Sequence, residues 1–433
     1  MTRLKIVKLW ECDRKKWEAL VKRSELDIRS VLPMVKRIIS DVKREGDGAI
    51  LKYTKRFDGV KLRRDELKVR EEEFKLASEK LDPKRVEAIQ RAANAIKKFH
   101  LRQMPKEWMA ELSPGVRAGQ LVRPLESVGV YVPGGLARYP SSLLMAAVPA
   151  KVAGVKHLIV CTPTNKTGEV DAAVLAAAEA AGVDSVFKLG GSQAIAAMAY
   201  GTQTVPRVEK IVGPGNVYVA AAKLAVASDV DIDFVAGPSE ILVVADDSAP
   251  PEFVAADLVS QAEHGQDTAA VLVTTSQKLA SKVQELIEKI IEDNPRKLIV
   301  RKSLRKYGLV VLAKNMREAV EFSNTYAPEH LVLMVKQPRM LLKQITNAGS
   351  IFLGSQSPVA AGDFAVGPNH ILPTGGVARR RSGLSVLDFL RLPTVQELSR
   401  AGLKRVAETA IRLAEVEGLP GHARSIMERL RRM

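Results

Sequence analysis

The sequence predicts an α/β protein made of two tandem Rossmann-like parallel-sheet units with helical arms at both ends. Short apolar runs, glycine turns and helix-like segments rotate strictly from VGVYVPGG to about Ser228, and the rotation resumes at EILVVAD and runs through HLVLMV. The flanks carry helical periodicity instead.

Residues 1 to about 105 read as helix throughout, in WEALVKRS, SVLPMVKRIISDVKREG and a long basic stretch ending near Arg102. After Pro105 the pattern changes. VGVYVPGG, HLIVCTP, SVFKLGG and VEKIVGPGN read as strands running into turns; SSLLMAAVPAKVAG, AAVLAAAEAAG, QAIAAMAYG and VYVAAAKLAVAS read as the helices between them. In the second unit the strands are EILVVAD, AAVLVTT, GLVVLA and HLVLMV, with helices FVAADLVSQAEH, KVQELIEKIIED and MREAVEFSN. From about Arg381 the chain returns to helix. The expected division is an N-terminal helical arm at 1–24, a main α/β domain from 25–130 and 240–381 that includes the helical lead-in, an inserted Rossmann-like domain at 131–239, and a C-terminal helical arm at 382–433.

The composition, 46% hydrophobic, is that of a globular chain with a large core. No apolar run reaches the roughly 18 to 20 residues that span a bilayer, and the start MTRLKIVKLWECDRKKW lacks a signal-like apolar segment. No membrane role and a cytoplasmic location are therefore expected. Cys12 and Cys161 are too few for a disulfide framework or a thiolate zinc site. The net charge of +17 raises the question of nucleic acid. Residues 1–100 hold 28 Lys or Arg against 17 Asp or Glu, interleaved as on a solvated helix face, while aromatics are only 5% and stand apart from the basic runs. No nucleic-acid partner is expected.

The densest polar chemistry lies between Phe234 and Gly265. AGPSE sets Ser239 and Glu240 at the mouth of an apolar run, and QAEHG closes a helix with Gln261 and His264 three positions apart. Glycine turns at VPGG (Val132 to Gly135), GGSQ and GPGNVY suit phosphate binding at strand ends, where ligands sit in open parallel sheets. Tyr131, Gln193 and Asn216 lie at those turns. GPGNVY lacks the third fingerprint glycine, with Tyr218 in its place.

Four of the six histidines, His264, His330, His370 and His422, fall in polar, glycine-bearing segments with carboxylates nearby: Glu329 before His330, Asp363 before His370 and Glu417 before His422. Imidazole with carboxylate suits zinc, and Glu beside His suits proton transfer. The spacings form no closed metal motif, so a zinc site and an all-protein acid/base cluster both stand, as do a zinc hydrolase and a two-lobed binding protein.

Read together, AGPSE, SQAEHG, APEHL, GDFAVGPNHILPTGG and AEVEGLPGH resemble the histidinol dehydrogenase family, in its order, from about residue 25 to the end. The resemblance implies a four-electron oxidation of L-histidinol to L-histidine through bound L-histidinaldehyde, with two NAD in succession, in the last steps of histidine biosynthesis. It implies one Zn2+ per subunit on Gln261, His264, Asp363 and His422. Substrate contacts would be Ser239, Gln261, His264, His330, Asp363, His370, Glu417 and His422, NAD contacts Tyr131, Gln193 and Asn216, and the acid/base pair Glu329 and His330. A homodimer whose tail reaches the partner's site is implied as well. Phe364 stands where a Tyr is common in the family, and Pro420-Gly421 precedes the tail histidine.

Overall fold

The computed structural model describes residues 4–23, 26–134 and 139–432. The expected 24/25 boundary and Gly135 of VPGG lie outside the described residues.

Two parallel sheets form the body. The first takes strands Ser185–Lys188, His157–Thr162, Ser127–Tyr131, Lys210–Val212 and Asp231–Ile232 in that spatial order. Numbered along the chain this is 3-2-1-4-5, the dinucleotide-binding doubly wound order without its sixth strand. The second sheet runs Lys5–Lys8, Gly308–Leu312, Ala269–Thr274, Glu240–Ala245, His330–Met334, Ser350–Leu353, again all parallel. EILVVA, AAVLVT, GLVVL and HLVLM are buried at every position, because helices cover both faces of the sheet and leave no solvent side for an alternating pattern.

Helix Pro140–Ala153 buries 10 of its 14 residues, which is why its sequence has no polar face. It packs on the first sheet and on the helix Pro83–Leu101. Full burial of each leucine there, Leu143 and Leu144, stabilises by roughly 1.5–3 kcal/mol.

The helical arms need correction. Lys5–Lys8 is not helix but the edge strand of the second sheet, short and lysine-flanked as exposed edges tend to be. Thr394–Leu398, read as the start of a helix, pairs antiparallel with Val116–Gln120, which in turn pairs with Trp108–Ser113; helix begins only at Arg400. The helices of the lead-in, Ile28–Glu45, Asp47–Phe57 and Pro83–Leu101, pack on the first sheet rather than on the second. Their apolar stripes give no sequence signal about which sheet they cover.

Candidate active site

The polar residues converge where the carboxyl ends of the first sheet face the amino ends of the second. Glu240 and His330 are the first residues of adjacent central strands, with Ile241 paired to His330 and His330 paired to Ser350. Residues 363–376 tie the two units together. His370 Nε2 lies 3.3 Å from Ser142 Oγ and Asn369 Nδ2 donates to Met145 O at 2.6 Å, both on Pro140–Ala153, while Gly375 N donates to Glu240 Oε1 at 2.8 Å.

His330 and Glu329 enter the site through a distorted junction. Helix Met316–Tyr326 ends at Ala327, which has φ 52° and ψ 65°, a left-handed conformation that a β-carbon makes costly. Arg23 holds it. Its Nη2 donates to Tyr326 O at 2.6 Å and Ala327 O at 3.2 Å, the guanidinium stacks 3.8 Å over the Tyr326 ring, and Nε pairs with the buried Glu240 carboxylate. Gly349 is required alongside, because a β-carbon there would sit 2.6 Å from Glu329 O.

Glu240 then fixes both members of the pair through its backbone. Its N–H donates to Glu329 Oε2 at 2.7 Å, and its carbonyl faces His330 Nδ1 at 3.1 Å. Since a carbonyl only accepts, Nδ1 carries a proton, and Nε2 is the atom left for chemistry. That Nε2 is buried without a hydrogen-bond partner and lies 3.6 Å from Asp363 Oδ1. Glu329 Oε2 is 3.5 Å from Nδ1, and Gln261 Nε2 approaches the same nitrogen at 3.5 Å. Burial pushes the His330 imidazole down, but the Glu329 charge and then Asp363 outweigh it and raise it to about 10.

Asp363 sits on a π-helical turn, Gly362–Val366, a local widening often found at functional sites. Burial favours its neutral form, yet His330 first, and the charges of His370 and His264 after it, hold the carboxyl below its ordinary value. His370 is lowered, chiefly by burial; its Nδ1 donates to Asp363 O at 2.9 Å. A cavity of about 240 Å3 opens beside these groups, lined among others by His330, Phe352, Gln356, Asp363, Asn369 and His370.

One chain therefore gathers Gln261, His330, Glu329, Asp363 and His370, with Ser239 half-buried next to Glu240 and His264 close to Asp363. Helix Pro251–Ala262 stops before His264, so Gln261 and His264 are not two positions on one helical face as expected; His264 lies in the turn beyond, exposed. Glu417 and His422 are exposed, at the end of Arg400–Val416 and in Pro420–Arg431, and no hydrogen bond or ion pair joins them to the cluster among the described residues. No three His, Cys, Asp or Glu side chains converge as a metal cage among those residues either. Of the four side chains expected to hold a metal, Gln261 and Asp363 are buried at the cluster, while His264 and His422 are exposed.

At the first sheet, Tyr131 ends its strand and its hydroxyl accepts from Gly191 N at 3.1 Å. Asn216 caps helix Val217–Val226, with Oδ1 accepting from Tyr218 N and Val219 N at 3.1 and 3.2 Å. Gln193 does not cap. It is 1% exposed, and both its amide oxygen and nitrogen are buried without partners among the described residues. The turn at Gly213 is braced by buried Asp233, which accepts from Gly213 N at 2.8 Å and pairs with Lys223.

Sequence reasoning missed Arg23, Tyr326, Ser142 and the structural use of Glu240. Arg23 sits in a basic, helix-like stretch and carries no motif; only its 217-residue reach to Glu240 marks it.

A family model described as histidinol dehydrogenase matches residues 21–430. Histidinol dehydrogenase of Methanothermobacter thermautotrophicus is 50% identical over 431 residues, covering 98% of this chain and 100% of the relative. That of Methanocaldococcus jannaschii is 45% identical over 434 residues, covering 100% of both. The crystal structure of histidinol dehydrogenase from Elizabethkingia anophelis superposes with a TM-score of 0.96 at 37% identity, covering 100% of this chain and 99% of that one. Matched over nearly its whole length in sequence and in fold, the chain belongs to the histidinol dehydrogenase family and is an oxidoreductase.

Proposed function

We propose that the protein oxidises L-histidinol to L-histidine in histidine biosynthesis, by two NAD-dependent steps with L-histidinaldehyde kept bound. The observation that carries this reading is the buried Glu329-His330 pair, whose histidine lines the cavity of about 240 Å3, in a chain of this family. A glycine-turned sheet of dinucleotide-binding order beside the cavity favours a dehydrogenase over a zinc hydrolase, which has no use for it.

His330 Nε2 is the base that takes the alcohol proton, its Nδ1–H fixed on Glu240 O so that the ring neither turns nor loses its tautomer. Glu329, held on Glu240 N, draws a proton from water as that water adds to the aldehyde. His330 then removes a proton from the hydrated carbon's hydroxyl. Per histidinol, two hydrides and three protons leave and one water is taken up. Tyr131, Gln193 and Asn216 would hold NAD, which would supply the hydride acceptor; the two amide atoms of Gln193, unpartnered among the described residues, fit a polar ligand there.

The side chains near His330 and Asp363 fit zinc by type: a buried amide in Gln261, an ionised carboxylate in Asp363 and the imidazole of His264, with Nε2 of His330 unpartnered among the described residues next to Asp363. Held by these side chains, zinc would supply a positive charge that orients the substrate and offsets the Asp363 carboxylate, which would leave His330 closer to a value at which it serves as a base. The fourth ligand, His422, and the substrate contact Glu417 would come from a second copy in a homodimer, alongside Ser239 and His370 from the same chain. A cytoplasmic location belongs to the same reading.

The reading is tested by NADH formation on adding L-histidinol to zinc-loaded protein and NAD. Activity that a chelator abolishes and zinc restores is the expected result; no NADH from histidinol would overturn it.

A further inference from the structure

We propose that Asp58 is the ribose-binding carboxylate of the dinucleotide site and selects NAD over its 2′-phosphorylated form. The proposal rests on the NAD reading above and adds to it a residue that no part of that reading uses.

In a dinucleotide-binding sheet, an acid at the carboxyl end of the second strand takes the ribose hydroxyls. Here the second strand is His157–Thr162, and it ends in Cys161-Thr162-Pro163 with no acid. Asp58 supplies one from elsewhere. It follows helix Asp47–Phe57, and both its carboxylate oxygens lie 3.4 Å from the point where a β-carbon on Gly190 would sit. Pro163 Cβ lies 2.8 Å from that same point. Gly190 follows the third strand, so Asp58 stands over the ends of the second and third strands, where the fingerprint acid belongs.

The position is a poor one for a carboxylate that has no ligand. Asp58 Oδ2 is buried without a hydrogen-bond partner among the described residues, and the carboxylate stands at the C-terminal, negative end of a helix. Burial raises it to about 6, and no ion pair among the described residues offsets the cost. Other groups unpartnered among the described residues belong to the same two turns. Gln193 Oε1 lies 3.0 Å from a β-carbon position on Gly191, and among the described residues neither of its amide atoms has a hydrogen-bond partner; nor has the buried Thr164 Oγ1, next to Pro163. An acceptor-only carboxylate beside a group that donates and accepts matches a vicinal diol, whose hydroxyls do both. A 2′-phosphate would place like charges together.

The test uses the full-length, zinc-loaded protein with histidinol and either NAD or NADP, comparing wild type with Asp58→Asn and Asp58→Ser. The expected result is a KM for NAD raised about 10- to 100-fold, the loss of one charge-assisted hydrogen bond, with KM for histidinol within about twofold. The NAD-to-NADP preference in kcat/KM should fall about tenfold or more. Against failure of the variants to fold, wild-type protein is titrated with NAD and 2′-deoxy-NAD; weaker binding of the deoxy analogue is expected, and equal binding overturns the proposal. Unchanged KM for NAD and unchanged preference in both variants overturn it too, while leaving the parent reading intact. Absence of any NAD reduction by wild type overturns both.

Discussion

Replacing Glu329 with Gln should separate the two oxidations. Gln keeps an oxygen able to accept from Glu240 N, the 2.7 Å bond that holds the side chain, so the junction stays folded. What goes is the charge. At 3.5 Å from His330 Nδ1, a carboxylate stabilises the imidazolium by about 5 kcal/mol at an effective dielectric of about 20. The rise of His330 from 6.5 to about 10 corresponds to roughly the same free energy, at about 1.4 kcal/mol per unit. Glu329 is thus large enough to dominate that rise against burial, and without it His330 moves toward neutrality at pH 7. A neutral His330 still takes the alcohol proton, so the first half-reaction should slow less than about tenfold. Water activation for the second half is lost, and a missing general base typically costs about 10²- to 10⁴-fold. Single turnover with excess NAD should give one NADH per site promptly and the second slowly, and the variant should fail most clearly when histidinaldehyde is the starting substrate. Equal loss in both halves would refute the division of labour between Glu329 and His330.

Mixed dimers test the shared site. Asp363→Asn and Asp363-intact His422→Ala chains should each be inactive and low in zinc by metal analysis; refolded together they should regain activity, because one site then holds wild-type Asp363 and wild-type His422. No recovery would place both ligands in one chain. The metal-free protein should also show a pH signature. His330 is raised in the fold, so its protonation stabilises fully below about 6.5 and that stabilisation is lost as pH rises through about 10. Tm of chelator-treated wild type should fall between pH 7 and 10 more steeply than that of His330→Asn, and parallel slopes would contradict the coupling to Glu329 and Asp363.

The parallel strands were legible because burial on both faces makes them continuous apolar runs, and the glycine turns mark their ends. Glu329 and His330 were legible as a pair because they are adjacent in sequence and follow a proline. Lys5–Lys8 was not: its exposed, charged pattern matches a solvated helix as well as an edge strand. Thr394–Leu398 forms a strand only because Val116–Gln120 pairs with it across more than 270 residues, a fact of tertiary structure that local propensity does not carry. The same holds for Arg23 and Asp58. Each is an ordinary charged residue in a basic N-terminal stretch until the fold buries it against Glu240 or beside Gly190. The site's place was only half legible as well. Strand ends were expected to bind through their carboxyl side, and the first sheet does present Tyr131 there, but Glu240 and His330 stand at the amino ends of the second.

On the proposed reading, one buried Glu-His pair carries both oxidations without releasing the aldehyde. Counting NADH formed per L-histidinol consumed, on protein of measured zinc content and with an aldehyde trap present, tests it most directly. Two NADH per histidinol, with nothing trapped, is the predicted result; one NADH, with the aldehyde captured, would contradict it.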